Sequence, residues 1–201
     1  MKIKIDMYSD FQCPFCYIGK SILDKVKGDF DTDFTFKGYE IHSDAPEEGV
    51  DAEKYFGKGH LDANRIVQYG AQFGVDIKMK KLVINSNKAL RLAEYAKKVG
   101  KGDQYNDIMY KAMFRDTLNI GTLEVLKDLA AQAGMSGEEV DTVLADPQYR
   151  QTLDDNLAFC RANNITGVPC FIINDKYMIN GAQSPEVFTK LFNQIEKGEK
   201  A

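Results

Sequence analysis

The chain has no surplus of positive charge: 26 basic against 30 acidic residues leave a net charge of -4 over 201 residues. Without a basic face it lacks the electrostatic footprint of a nucleic-acid partner. The two signs are interspersed, as on an ordinary solvated surface. Long apolar runs are also missing, and none approaches the roughly 18 residues of a membrane span. The N-terminus, Met1-Lys2-Ile3-Lys4-Ile5-Asp6, alternates charge with apolar groups and has no continuous apolar region of the secretory kind. It reads as a first strand, and cytoplasmic residence follows unless an export sequence was removed and a start Met added. Cysteine is scarce, with four at 13, 16, 160 and 170, too few for a disulfide-rich secreted scaffold of this length. Histidine is scarcer still, at 42 and 60 alone. Linkers, internal repeats and low-complexity tracts are absent. What remains, at 44% hydrophobic content, suits one globular unit or a domain with a large insertion.

Residues 2–8 place Ile3, Ile5 and Met7 on one face at period two, a short strand. Pro14 then stands at a first helical position, where its missing N–H costs nothing. Ile18, Ile22 and Val26 continue at helical spacing to a stop at Gly28. Residues 33–41, rich in Phe and Tyr, read as a second strand. The acidic, Gly-containing segment 43–59 with Pro46 reads as a connecting loop. From about 61 to 164 the pattern is helical, with one helix carrying Ile66, Val67 and Phe73. Others fall over 88–99, 105–115, 123–133, 137–144 and 148–162, separated by Gly100, Gly121, Gly134 and Pro147. Cys170-Phe171-Ile172-Ile173 and Tyr177-Met178-Ile179 flank a turn at Asn174-Asp175-Lys176, a hairpin. Ser184 can cap a last helix that opens on Pro185. The plan is βαβ, a helical block, then ββα: an α/β domain formed by 1–42 and 165–201, interrupted by a loop and helical insertion over 43–164.

Cys13-Pro14-Phe15-Cys16 sits at the strand-to-helix junction. Cysteines at i and i+3 of a helix start share one face, close enough to form a disulfide. At the cap position, Cys13 would face the free N–H groups of the first turn, which stabilise a thiolate. The thiolate is the attacking species, so Cys13 is the expected nucleophile. Cys16, one turn inward, is the expected resolving thiol. A zinc site normally needs a second close pair, and Cys160 and Cys170 stand ten positions apart, so no metal is expected. Gly167-Val168-Pro169-Cys170 is the second signal, because a proline opening a buried strand forfeits a ladder hydrogen bond.

These residues resemble the DsbA-like branch of the thioredoxin superfamily, and within it the cytoplasmic FrnE-type proteins. The resemblance rests on residues 9–19 (SDFQCPFCYIG), 85–91 (NSNKALR), Gly167-Val168-Pro169 and Asn180-Gly181-Ala182-Gln183. It implies a thioredoxin-like fold with an all-helical insertion, and dithiol–disulfide exchange on protein thiols or small thiols such as glutathione. Isomerase activity is included, and no cofactor is needed beyond the redox-active disulfide. It also implies that Pro169 is cis, part of the catalytic set with Cys13 and Cys16, and keeps metal-binding groups off the sulfurs. The backbone of Val168 would pair with an extended substrate segment, with Pro14 and Phe15 beside it. No membrane or nucleic-acid partner is implied, and the protein would act as a monomer or homodimer.

Three positions depart from the family pattern. Phe15 stands where the strongly oxidising relatives carry His, which predicts a weaker oxidant. Met7 stands where relatives bury an acid six residues before the first cysteine. Asp6 points to the other strand face, leaving water or Asp10 as proton acceptor for Cys16, with a turn cap the alternative role for Asp10. Cys170 follows Pro169 where relatives often carry Thr, Phe or Ala; it and Cys160 read as core or as an auxiliary thiol pair. Phe11, Phe15, Tyr17 and Tyr39 are candidates for an apolar rim near the cysteines and read equally well as core. Gly57-Lys58-Gly59-His60 reads as a flexible loop, and His42 and His60 as loop residues more readily than as partners of a cysteine. The competing functions are a glutathione-dependent isomerase or kappa-type transferase, which the intact cysteine pair disfavours, and a redox-idle chaperone or interaction module.

Overall fold

The structure is a computed structural model that describes residues 2–59 and 62–198. Strand β1 (Ile3–Ser9) lies at the centre of a four-stranded sheet of order β2-β1-β5-β6. It runs parallel to β2 (Thr32–Gly38) and antiparallel to β5 (Cys170–Ile173), which pairs in turn with β6 (Tyr177–Asn180). Met7 pairs with Phe171, and Tyr8 with Cys170. Side chains opposite one another share a sheet face, so Met7 and Phe171 face one layer of helices and Tyr8 and Cys170 the other. Between β5 and β6, Asn174 and Asp175 both take positive φ, and Lys176 N–H donates to Ile173 O, a tight turn matched to the strand twist.

Helix α1 (Pro14–Lys27) begins on Pro14 and ends with Lys25 and Lys27 in its last turn, where cations favour the helix dipole. Its buried stripe holds Cys16, Ile18, Gly19, Ile22, Leu23 and Val26. The last helix in the chain (Pro185–Glu196) lies beside α1, and its Phe188 meets Phe171 edge-on. Ser184 occupies its cap position, but the hydroxyl makes no capping bond to the backbone, contrary to expectation.

Four other sequence expectations need correction. The second strand stops at Gly38, short of Ile41: Tyr39 N–H still donates to Ser9 O, but Ile41 N–H is taken by the Asp10 side chain. The 43–59 segment is not purely loop. It holds strand β3 (Val50–Asp51) and helix α2 (Ala52–Phe56), with Asp51 accepting from Glu53 N–H and Lys54 N–H. Strand β3 pairs with β4 (Leu82–Val83), which interrupts the stretch read as helical. Pro147 is no separator: Asp146 accepts from Gln148 N–H, and Pro147 opens the next long helix.

The helical stretch contains α3 (Ala63–Gln72), α4 (Asn87–Lys98), α5 (Gly102–Phe114), α6 (Leu123–Gln132), α7 (Gly137–Ala145) and α8 (Pro147–Ala162). Helices α4 and α8 pack against β2. One apolar cluster runs from Ile5 and Met7 of the sheet through Phe11 to Tyr105, Tyr110, Leu126 and Val140 of these helices. The insertion therefore shares a core with the sheet, and that continuity brings α5 behind the cysteine pair. Among the described residues no helix is long and apolar enough to cross a membrane.

Candidate active site

The turn between β1 and α1 is built by Asp10. Its two carboxylate oxygens accept from Gln12 N–H at 3.0 Å and Ile41 N–H at 2.9 Å, while its carbonyl accepts from Cys13 N–H at 3.1 Å. Asp10 is fully buried, and burial pushes its carboxyl up to about 6 against the opposing pull of those donors. The Ser86 hydroxyl lies beside the carboxylate without meeting hydrogen-bond geometry, and Glu40 adds repulsion. Of the two roles considered for Asp10, the geometry supports the turn cap. Its carboxylate is occupied by backbone donors, and the part of Asp10 that acts on Cys16 is its own N–H.

Cys13 takes the cap position of α1 in extended conformation, yet its thiol does not bond the first-turn N–H groups as the sequence suggested. It donates across the fold to Val168 O at 3.6 Å. The Val168–Pro169 peptide is cis, and Pro169 is buried. Gly19 explains how α1 comes so close: a Cβ there would stand 3.0 Å from Pro169 Cγ and 3.2 Å from Phe171 Cζ. Cys13 is 7% exposed and Cys16 is wholly buried. The Cys16 thiol is pushed well above its usual range, first by burial and then by the adjacent Cys13. The Ser9 hydroxyl and the Asp10 N–H act the other way and favour its thiolate.

Beside Cys13 opens a cavity of about 190 Å³. Its wall is chiefly apolar, with Ile41, Phe56, Ile66, Leu82, Met113 and Phe114 among the lining residues. Gln12 is a polar member of that wall but is already committed. Its amide nitrogen donates to Ile84 O and its oxygen accepts from Ile84 N–H, both at 2.6 Å. His42 also lines the cavity, with its ring edge-on to Tyr55 and Phe56; burial lowers its pKa against the opposing pull of the Asp44 carboxylate. His60 lies outside the described residues.

Of the four aromatics expected at the rim, Phe15 alone is there, 39% exposed and 6.0 Å from the Tyr69 ring. Tyr69 in turn donates to Ala182 O. Phe11 is core, stacked on Phe36 at 4.9 Å, and Tyr17 packs on Tyr110 and Phe114. Tyr39 packs on a separate small cluster of Tyr8, Cys160, Ile165 and Cys170. Cys160 and Cys170 are free thiols inside that cluster, and burial raises them to about 12 and about 11. Both fill core space between α8 and β5. Among the described residues no group of three His, Cys, Asp or Glu side chains is placed to hold a metal ion.

Two contributors escaped the sequence reading. Ser9 Oγ and Tyr110 Oη lie 2.5 Å apart in the interior behind Cys16. Ser9 could have been flagged, since it shares the inward strand face with Met7. Nothing local marks Tyr110, which arrives from α5.

A strand-to-helix turn bearing two cysteines, opposed by a cis-proline loop, agrees with what sequence comparison finds. Residues 4–193 match the model of the DSBA-like thioredoxin domain. The chain belongs to that family. It is similar to YwbO of Bacillus subtilis, with 28% identity over 98% of this chain and 99% of that one. Among solved structures it resembles a probable DsbA oxidoreductase from Streptomyces coelicolor, with TM-score 0.87, 25% identity, and coverage of 99% and 92% of the two chains. It shares its fold with the cytosolic disulfide reductase DsbM of Pseudomonas aeruginosa, solved with GSH, at TM-score 0.73, 16% identity, and coverage of 96% and 99%. The thioredoxin-like α/β fold with its helical insertion is thereby established.

Proposed function

We propose that the chain is a thiol–disulfide oxidoreductase working through Cys13 and Cys16, in a catalytic unit formed by residues 1–42 and 165–201. The observation that carries this reading is the Cys13 sulfur, held 3.6 Å from Val168 O at the wall of an apolar cavity with Cys16 buried behind it. Cys13 is the sulfur a substrate can reach. Its thiolate attacks a substrate disulfide, forms a mixed disulfide, and Cys16 then displaces the substrate thiolate. Pro169 holds the loop opposite, the Val168 backbone offers pairing for an extended chain, and Pro14 and Phe15 flank it.

Substrates are protein disulfides or small thiols. Glutathione is the small-thiol partner we favour, in line with the DsbM structure solved with GSH. No cofactor beyond the cysteine pair is required. Release of Cys13 from a mixed disulfide by a neighbouring substrate thiol would give isomerase activity. Cytoplasmic residence and the FrnE-type subgroup go with this reading. There the centre would work against a glutathione poise of roughly -220 to -320 mV, so its potential decides the direction of electron flow. Replacing Cys13 by Ser is the test: insulin reduction and refolding of a scrambled substrate are expected to vanish, and their survival overturns the assignment.

The apolar cavity beside Cys13 is also what a glutathione-dependent isomerase or transferase needs for an apolar co-substrate. Conjugation of glutathione to a small electrophile by the purified protein would favour that reading over the first.

A further inference from the structure

Burying a thiol creates a difficulty that the proposed reaction has to overcome. Cys16 must become a thiolate to resolve the mixed disulfide, and burial opposes this more than any other influence on it. An uncompensated buried charge is costly, and the inward strand position six residues before Cys13 carries Met7, which neither donates nor accepts a proton usefully.

Two hydroxyls occupy the space instead. Ser9, fully buried at the end of β1, lies beside the Cys16 sulfur short of a formed hydrogen bond, and its hydroxyl favours the thiolate there. Its Oγ lies 2.5 Å from the hydroxyl of Tyr110, also fully buried, on α5 and 101 residues away. Either oxygen can be the donor in that bond. When Tyr110 donates to Ser9 Oγ, the single Ser9 hydrogen is free to point at Cys16. The chain then runs from Tyr110 O–H to Ser9 O–H to the sulfur, with every hydrogen directed toward developing negative charge. Hydrogen bonds in such a chain polarise one another, and a donor to a buried charged group is worth more than one to a neutral group.

We propose that Ser9 and Tyr110 form a hydroxyl relay that positions donors on the Cys16 thiolate during resolution of the mixed disulfide. The proposal rests on the oxidoreductase reading and deepens it. In the step concerned, the Cys16 thiol releases its proton to solvent base and its sulfur attacks Cys13 Sγ. The Cys13–Cys16 disulfide forms, the bond from Cys13 to the substrate sulfur breaks, and the substrate leaves with the electron pair as a thiolate. Cys16 is oxidised and the substrate sulfur is reduced, while Cys13 passes from one disulfide to the other without changing oxidation state. Ser9 and Tyr110 are positioning residues that exchange no electrons. The groups facing Cys16 from the elements around it are Cys13 at the start of α1, the Asp10 N–H on the turn, Ser9 on β1 and Tyr110 on α5. On its outer side Tyr110 borders a charged pocket with Lys20, Asp107 and Lys111.

The test is release of coloured thiolate when the reduced, full-length protein reacts with 5,5′-dithiobis(2-nitrobenzoate). The first thiolate reports attack by Cys13, and the second reports resolution by Cys16. In Ser9→Ala we expect the second phase to slow about tenfold relative to the first at pH 7, as expected for a lost hydrogen bond to a charged group. Its pH profile should move about one unit to higher pH, because a thiolate with fewer donors needs a higher pH to form. Tyr110→Phe, which keeps the ring in its stack, should shift the profile in the same direction by less. Ser9→Thr, which keeps the hydroxyl, should restore it. A second phase with the original pH profile in both Ser9→Ala and Tyr110→Phe overturns the relay. Loss of the first phase from the unsubstituted protein would overturn the oxidoreductase reading itself, which is a separate outcome.

Discussion

The sulfur of Cys13 and the carbonyl oxygen of Val168 lie 3.6 Å apart although 155 positions separate them in the chain. This contact joins the two ends of the sequence at one point and leaves Cys13 as the partly exposed sulfur, while Cys16, Cys160 and Cys170 are fully buried.

Alkylation therefore discriminates the four thiols. In the folded, reduced protein, iodoacetamide at neutral pH should label Cys13 first. The rise to about 11 for Cys170 and about 12 for Cys160 cuts their thiolate fractions by roughly a hundredfold and a thousandfold, and burial slows them further. Peptide mass mapping after timed quenching reads the order. Labelling of Cys160 or Cys170 at the pace of Cys13 would show that their cluster is open to solvent.

Gly19 is expected to tolerate little. Alanine there gains about 1 kcal/mol of helix propensity over glycine, against a tight Cβ contact 3.0 Å from Pro169 Cγ. Valine adds two methyl groups where no space exists, and overpacking costs typically 1–3 kcal/mol. Gly19→Val should lower the urea midpoint and also slow thiol exchange, because the displaced element is the loop facing Cys13. A Gly19→Val protein of unchanged midpoint and exchange rate would contradict this geometry.

Asp10 sets a pH dependence whose sign is opposite to that of an ion-paired carboxylate. Its native value of about 6 stands above the 3.8 of the free group. The native state thus holds more protons between these values than the unfolded chain. Stability from this group is fully present below about pH 4 and declines as pH rises through 6. In Asp10→Asn this slope should disappear from denaturation midpoints between pH 4 and 6. The variant should also be weaker by about 1–3 kcal/mol at pH 7, since an amide cannot accept both the Gln12 and Ile41 N–H groups. An unaltered slope would place the titration elsewhere.

Much of the site was legible because its signals are local. A strand of alternating Ile3, Ile5 and Met7, a CxxC at a helix start with Pro14 in first position, and a proline opening the strand at Cys170 each depend on a few consecutive residues. The pieces that escaped are paired over distance. Strands β3 and β4 are two residues each and exist only because Val50 meets Val83. The amide of Gln12 is spent on Ile84, 72 positions away. The rim expected from four aromatics shrank to Phe15, since whether a Phe or Tyr is core or surface depends on what folds over it.

The βαβ opening, the closing ββα and the placement of Cys13 and Cys16 at a helix start were determined by the sequence itself, through periodicity and the chemistry of proline and cysteine. Which sulfur can be reached, what Asp10 does with its carboxylate, and which hydroxyls stand behind Cys16 were decided by the tertiary structure. The physical reason is that burial and hydrogen bonding are properties of a neighbourhood, and around Cys16 that neighbourhood is assembled from β1, the turn at Asp10, and a helix a hundred residues downstream.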